Sequence, residues 1–195
     1  MGRLRNSNGS AGGMTDTNTT FAFEAGAAAF GDGRHPTTHG VLAALQALDP
    51  QAFTPRTACD IGAGSGIISL AIAEKFASTV VAVDIAATAV QAVQENAARN
   101  GLSGRIAAYQ VDGFDHPAIA AQPPFDLIVM NILAEPLRKL AAPAEGHLAS
   151  GGVLILSGIL QWQEEQIRES YQGLGLELTF RVVIGDWVTL VWQKP

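Results

Sequence analysis

A glycine-rich segment followed by an acid is the part of this sequence best suited to bind a ligand. Residues 60–66 read DIGAGSG, and the pattern combines one acid with Gly62, Ala63, Gly64 and Gly66. Glycines let the main chain turn tightly and let a ligand approach where a Cβ atom would block it. Asp84 follows at a separation of about 20 residues, where a carboxylate can accept hydrogen bonds from both hydroxyls of a ribose. The alternative is a tight strand–helix turn, with Asp84 as the cap of the next helix.

The elements that must position these residues alternate between strands and helices. The pattern predicts strands over 57–61, 79–84, 105–111, 125–130, 153–157, 176–184 and 187–193. It predicts helices over 37–48, 66–76, 87–100, 134–148 and 161–173, with a kink or break near Pro143. Such alternation gives a mostly parallel α/β sheet with helices on both faces. The last two strands, separated by Gly185 and Asp186, form a hairpin that makes the final strand antiparallel.

The spacing of the glycines distinguishes between cofactors. It is Gly-x-Gly-x-Gly, whereas the dinucleotide fingerprint is Gly-x-Gly-x-x-Gly. The shorter motif resembles motif I of S-adenosylmethionine-dependent methyltransferases, in which the loop cradles the amino-acid part of the cofactor. The seven-stranded arrangement with an antiparallel last strand likewise matches the Rossmann-like class I methyltransferase fold. The resemblance implies S-adenosyl-L-methionine as cofactor and S-adenosyl-L-homocysteine as product.

The same resemblance assigns roles around the loop. Asp60 resembles the acid that faces the ammonium group of the cofactor, and Asp84 is the ribose ligand. Ile85, directly after Asp84, belongs to the same predicted site, and Asp112, after the third strand, would accept a hydrogen bond from the adenine amino group. The alternative for Asp112 is an ordinary loop acid.

Three further segments indicate one family among these methyltransferases. Residues 30–38 read FGDGRHPTT, residues 131–138 read NILAEPLR and residues 156–160 read LSGIL. In this order they resemble the PrmA family of bacterial methyltransferases, which act on a ribosomal protein. The resemblance implies cofactor contacts at Thr38, Gly62, Asp84 and Asn131.

This sequence departs from the PrmA pattern in two respects. Asp32 and Arg34 stand where the family has threonines. The family also has an N-terminal substrate-recognition domain, for which we see no counterpart before Phe21. We therefore expect the catalytic chemistry to be inherited and leave the substrate open.

Asn131 is the candidate catalytic residue, because it follows the fourth strand beside the expected position of the transferred methyl group. Many amine methyltransferases have an Asn-Pro-Pro-aromatic loop there, whose oxygens bind the acceptor amine. The sequence Asn-Ile-Leu-Ala lacks the prolines and the aromatic residue, which favours a flexible aliphatic amine over a planar base. The alternative for Asn131 is a cap for the following helix.

The histidines and the cysteine are weaker candidates for a catalytic or metal-binding role. His35 could be a general base, but its position before Pro36 equally suits a structural hydrogen bond. No group of His, Cys, Asp and Glu has metal-ligand spacing, so we predict no metal site. Cys59 is the single cysteine and lies in a predicted strand, where it is expected to be buried and inert.

Length and composition set the remaining expectations. The 195 residues fit a tail over 1–20 and one catalytic domain over 21–195. The formal net charge of −6 argues against direct nucleic-acid binding, and we find no apolar run long enough to cross a membrane. We predict a cytoplasmic methyltransferase that N-methylates a protein amine, lysine or N-terminal, on a substrate that could be ribosomal. The alternatives are a small-molecule methyltransferase and a catalytic core that needs a separate recognition subunit or domain.

Overall fold

The computed structural model describes residues 34–195. The predicted tail over 1–20, the start of the predicted domain at residue 21 and the first part of the FGDGRHPTT segment lie outside the described residues. Among those that are described, the longest helix has 13 residues, and none has the length and apolar character that a membrane crossing requires.

Seven strands form one sheet. They are β1 (Thr57–Ile61), β2 (Thr79–Asp84), β3 (Ile106–Gln110), β4 (Phe125–Asn131), β5 (Leu148–Leu160), β6 (Glu177–Ile184) and β7 (Trp187–Gln193). Their order across the sheet is β3-β2-β1-β4-β5-β7-β6, and β7 runs antiparallel to both of its neighbours. The pairs from β3 through β5 are all parallel. The predicted seven-stranded sheet with an antiparallel last strand is therefore confirmed.

Helices cover both faces of this sheet, as predicted. They are α1 (Pro36–Ala47), α2 (Ile67–Phe76), α3 (Ala87–Arg99), α4 (Pro117–Ala120), α5 (Ala134–Lys139), α6 (Ala141–His147) and α7 (Glu164–Gln172). Side chains of α1, α2 and α3 share one buried cluster with alternate strand residues such as Ala58 and Val129. Side chains of α4 to α7 share a second cluster with the residues that face the other way, such as Cys59 and Ile128. The period of two along each strand divides the core between two layers.

The break predicted near Pro143 is present, and another predicted helix begins differently from the prediction. The helix expected over 134–148 is broken at Leu140 into α5 and α6. Pro143 explains the break, because a proline ring clashes with the carbonyl four residues earlier, which here belongs to Lys139. The helix expected over 161–173 begins instead with a 3₁₀ turn, Gln161–Gln163, before α7. The sequence pattern also missed the four-residue helix α4.

The parallel strands bring their carboxyl ends to one edge of the sheet, which we call the carboxyl edge. From β1, the chain builds outward through β2 and β3 in one direction and through β4 and β5 in the other. Ligands of open α/β sheets bind at the carboxyl edge where the strand order reverses. In this sheet that point lies between β1 and β4, which end at Ile61 and Asn131.

Candidate active site at the carboxyl edge

The glycine loop connects β1 to α2 in a conformation that its glycines make possible. Gly62, Gly64 and Gly66 have φ values of 74°, 56° and 83°, in the left-handed region where other L-residues are strained. The amides of Gly62 and Ala63 both donate to the carbonyl of Val83, at 2.8 and 3.0 Å. The loop is thereby held against the end of β2.

Asp84 fixes the same loop from its other side. Its Oδ2 accepts the Gly64 N–H at 3.0 Å, and its Oδ1 accepts the Ala86 N–H at 2.9 Å. A carboxylate has about four acceptor positions, so two further donors can still bind Asp84. The half-buried carboxylate is thus oriented by the main chain while retaining the acceptor capacity that a ribose diol needs. The N-cap of α3 is Ala86, and no side chain caps that helix, so the alternative of Asp84 as a helix cap is wrong.

Asp60 lies deeper than the loop that follows it. It is fully buried, and its Oδ2 accepts the hydroxyl of Ser69 in α2 at 2.6 Å. Its Oδ1 accepts no hydrogen bond from residues 34–195. Burial raises the pKa of Asp60 to about 6, against the lowering effect of the bonds from Ser69. Asp60 therefore joins β1 to α2 and has one buried acceptor without a partner in the described chain.

A cavity opens on the β2–β3 side of the loop. Its volume is about 430 Å³, and its lining includes Ile85, Gln110, Val111 and Asp112. The Ile85 side chain is 70% exposed there, and the Gln110 Nε2 donates to the Ile85 carbonyl at 3.1 Å. The structure thus brings the predicted residues Ile85 and Asp112 together around one open cavity of mixed polarity, whose lining begins at the residue after Asp84. Such a cavity suits a planar heterocycle with a polar edge.

Asn131 ends β4 on the other side of the loop. The residue after it, Ile132, is packed between two glycines: a Cβ at Gly62 would overlap the Ile132 side chain, and a Cβ at Gly158 would overlap the Ile132 carbonyl. Gly158 has a φ of 82° and lies at a bulge in β5, where the register with β7 shifts between Leu156 and Ile159. Bulges occur beside active sites because they redirect the chain locally. Here the bulge makes room for the loop that carries Asn131.

The first turn of α1 reaches the same edge. Ser157, which pairs with Asn131 across β4 and β5, donates its hydroxyl to the Thr37 carbonyl at 3.0 Å. The Ser157 hydroxyl is also 2.8 Å from that of Thr189, which must then be the donor between them. Thr38 is almost fully buried in this turn. The structure therefore places Thr38 on the element next to Asn131, with little of its side chain exposed.

His35 has a structural part in the same turn. Its Nδ1 lies 2.8 Å from the Thr37 hydroxyl and accepts the Thr37 N–H at 3.3 Å, so the ring caps α1. The hydrogen-bond network assigns the acceptor role to Nδ1, which leaves the proton of a neutral ring on Nε2. The ring also packs edge-on against Trp187 at a centroid separation of 5.0 Å. The geometry supports the structural role that the sequence left open.

Sequence reasoning missed the roles of three residues at this site: Ser157, Gly158 and Thr189. The first two lie inside the LSGIL motif, and the available signal was a glycine inside an otherwise apolar strand, which marks a bulge or a close backbone approach. Two buried hydroxyls in apolar strands were a second signal, because such groups need a hydrogen-bond partner.

Within residues 34–195, no three His, Cys, Asp or Glu side chains are grouped as metal ligands. Cys59 is a buried free thiol.

The strand order, the glycine loop after β1 and the acid after β2 define a class I methyltransferase fold. The ribosomal protein L11 methylase of Lactobacillus delbrueckii subsp. bulgaricus superposes with a TM-score of 0.74 at 32% identity, covering 83% of this chain and 80% of that chain. An O-methyltransferase family protein of Burkholderia thailandensis shares the fold at 16% identity, with a TM-score of 0.65 over 78% of this chain and 55% of that chain.

Sequence comparison then specifies the family. The family model described as "Ribosomal protein L11 methyltransferase (PrmA)" matches residues 13–195, and this chain belongs to that family. A ribosomal protein L11 methyltransferase of Rhodopseudomonas palustris is 40% identical over 168 residues, which is 86% of this chain. One of Brucella suis is 44% identical over 162 residues, or 83% of this chain. The chain spans 57% and 56% of the lengths of these two relatives. The family prediction is confirmed.

Proposed function

We propose that this chain is an S-adenosylmethionine-dependent methyltransferase that N-methylates an aliphatic amine of a protein, as a PrmA-type enzyme. Family membership supports the reaction class. The observation that carries the site assignment is the Asp84 carboxylate, which the Gly64 and Ala86 amides orient beside the point where the strand order reverses. A donor site at this point has Asn131 on its far side, where an acceptor would enter.

The described residues fit this cofactor. S-adenosylmethionine, when bound, supplies a methyl group that its sulfonium sulfur already activates. The free acceptor capacity of Asp84 suits the ribose hydroxyls, and the unpartnered Oδ1 of Asp60 suits a nearby ammonium group. Gly62 has no Cβ, which allows the Ile132 side chain to pack directly against the loop main chain at this point. The residues that would hold the cofactor are Thr38, Asp60, Gly62, Ala63, Gly64, Gly66, Asp84, Ile85, Asp112 and Asn131.

Asn131 would act on the acceptor. Its amide oxygen can accept one N–H of a neutral amine and so direct the nitrogen lone pair toward the donor site. A lysine or terminal ammonium must lose a proton first, because only the neutral amine has a lone pair free to attack the methyl group. No aromatic ring follows Asn131 in the segment NILAEPLR, so a flexible amine fits better than a planar base.

The substrate proposal comes from the relatives. Those of Rhodopseudomonas palustris and Brucella suis are named for methylation of ribosomal protein L11. A ribosomal protein is therefore the first acceptor to test, and such an acceptor would place the activity in the cytoplasm. A small-molecule amine is the second, because the chain spans little more than half the length of these relatives and substrate recognition can depend on the remaining part.

The test is methyl transfer from tritiated S-adenosylmethionine to purified ribosomal protein L11, with a mixture of small amines in a parallel reaction. We expect label in the protein band, and we expect Asn131→Ala to lower kcat more than it weakens binding of S-adenosylhomocysteine. Label found only in low-molecular-weight products would show that the acceptor is a small molecule and not a protein. Measurable cofactor binding without any labelled product would contradict it. Calorimetric binding of NAD in place of S-adenosylhomocysteine would contradict the cofactor as well.

A further inference from the structure

Exposed apolar side chains are concentrated at one edge of the molecule. Four large apolar residues of the described chain are markedly exposed: Ile85 at 70%, Leu133 at 72%, Trp162 at 73% and Val183 at 43%. The first three follow the ends of β2, β4 and β5 by one or two residues, and Val183 is the last residue but one of β6. All four therefore lie at the carboxyl edge. Among residues 34–195, the large apolar side chains that are markedly exposed thus belong to the edge that holds the candidate site, which makes this edge the first surface to consider for binding.

The four residues divide between the two halves of that edge. Ile85 lines the cavity beside Asp84, on the donor half. Leu133, Trp162 and Val183 follow or end strands on the opposite side of the point where the strand order reverses. We call these three residues the acceptor rim. The rim begins two residues after Asn131, so it is continuous with the position proposed for the acceptor amine.

Hydrogen bonds fix the main chain of the turn that carries Trp162, while the Trp162 side chain is exposed. Trp162 is the middle residue of the 3₁₀ turn Gln161–Gln163. The Gln161 main-chain N–H donates to the Asp186 carbonyl at 2.9 Å, and the Gln161 side chain donates to the Gly185 carbonyl at 2.8 Å. The Gln163 side chain accepts the Leu160 N–H at 3.0 Å. A tryptophan on a fixed turn loses little conformational entropy on binding, and tryptophan is enriched among the residues that dominate interface energies.

Charge indicates the kind of partner. Two exposed acids belong to the segments next to Trp162: Glu165 follows it by three residues in the first turn of α7, and the Asp186 carbonyl accepts the N–H of the adjacent Gln161. The whole chain has a formal net charge of −6. An acidic surface around an apolar anchor attracts a cationic polypeptide more strongly than a neutral or acidic one.

We propose that the acceptor rim is the docking surface for the polypeptide that carries the methylated amine. Apolar residues of that polypeptide pack on Trp162 and Leu133, and a neighbouring lysine reaches Asn131. The proposal rests on the proposed function in one respect, that the acceptor is a protein amine. It adds specific residues that select a polypeptide, separate from those that hold the cofactor.

The test measures docking without methyl transfer. Fluorescein-labelled ribosomal protein L11 is titrated with the full chain saturated with S-adenosylhomocysteine, and fluorescence anisotropy gives Kd. We expect Trp162→Ala to weaken binding at least about tenfold and Leu133→Ala to weaken it less, while Trp162→Phe recovers most of the affinity. Calorimetric affinity for S-adenosylhomocysteine should be unchanged in all three variants. Leu102→Ala, which truncates a partly buried leucine between α3 and β3 at the opposite edge, is the matched control and should bind L11 like the wild type.

The outcomes separate docking from catalysis. Weaker docking of the Trp162→Ala variant supports the rim even if the wild type transfers no methyl group to L11, in which case only the proposed function fails. Equal affinity of the Trp162→Ala variant and the wild type overturns the proposal, as does a wild type that does not bind L11. Light scattering tests the alternative that a second copy of this chain binds to the acceptor rim. If Trp162→Ala abolishes self-association and leaves L11 affinity unchanged, the rim is a self-interface and the proposal is wrong.

Discussion

Asp84 orients the main chain of the glycine loop through its carboxylate, and the ribose-binding role that we propose for it can be separated from this structural role by experiment. Replacing Asp84 by alanine removes the acceptor for the Gly64 and Ala86 amides and the proposed ribose ligand together. We expect a stability loss of about 1–3 kcal/mol and a loss of S-adenosylhomocysteine affinity of at least about tenfold, measured by urea unfolding and calorimetry.

Asp126 offers the control at the opposite edge of the sheet. Its Oδ2 accepts the main-chain N–H groups of Arg56 and Thr57, at 2.8 and 3.1 Å, far from the glycine loop. Asp126→Ala should destabilise the fold by a similar amount with cofactor affinity unchanged. Equal losses of affinity in the two variants would mean that Asp84 acts only through stability.

Asp60 makes the stability of the protein depend on pH. Burial raises its pKa from 3.8 to about 6, so folding favours the protonated form. The stabilising contribution is complete below about pH 4, declines as the pH rises through 6, and is absent above that. Two pKa units correspond to about 3 kcal/mol in the free energy of unfolding. Urea unfolding between pH 4.5 and 7.5 should show this decline in the wild type relative to Asp60→Asn, which cannot titrate. Parallel pH curves for the two proteins would contradict the assignment.

At the scale of elements, the bulge in β5 positions the loop that carries Asn131. Gly158→Ala places a Cβ against the Ile132 carbonyl, which is main chain and cannot move without moving Asn131. We expect kcat for methyl transfer to fall by at least about tenfold, because small displacements of positioning groups slow catalysis strongly. The Gly158→Ala variant should also be less stable than the wild type. The left-handed main-chain conformation costs about 1–2 kcal/mol with alanine, and the overlap with the Ile132 carbonyl adds to this loss.

Gly151 is the matched control within the same strand. It has a φ of 78°, close to the 82° of Gly158, but a Cβ there would meet nothing within 4 Å. Gly151→Ala should therefore show the strain alone and leave kcat unchanged. The difference between the two alanine variants isolates the contact with Ile132. If both variants retained wild-type kcat, the bulge would have no part in positioning Asn131.

The sequence predicted elements more fully than contacts, for reasons visible at particular residues. The β-branched run of β2 and the glycine loop are local signals, so their positions and their approach to Asp84 followed from spacing. The bulge at Gly158 and the hydroxyl pair of Ser157 and Thr189 depend on the partner that each segment meets, and β5 and β7 are far apart in the chain. The break at Leu140 was predictable only to within a few residues, since a proline acts on the turn before it.

At the scale of the whole molecule, our proposals assign recognition and chemistry to the two halves of one edge. The donor half has Asp84 and Ile85, and the acceptor half has Asn131 and the acceptor rim. The alignments cover 57% and 56% of the two curated relatives, which leaves part of each relative for recognition elements outside the aligned region. In the described chain, surface shape and charge around the carboxyl edge are the features available to select an acceptor.

The net charge of −6 makes that selectivity sensitive to salt. The Debye length falls from about 10 Å at 0.1 M ionic strength to about 3 Å at 1 M, so attraction between exposed charges is largely lost over this range. We expect KM for a lysine-bearing polypeptide to rise at least about fivefold from 0.1 to 1 M sodium chloride. Affinity for S-adenosylhomocysteine, which has no net charge near neutral pH, should change less than about twofold. Asp186→Asn should flatten the dependence of KM on salt without altering cofactor affinity. A KM that is constant or falls with salt would show that charge does not attract the acceptor, and apolar contact with the acceptor rim would then have to account for docking alone.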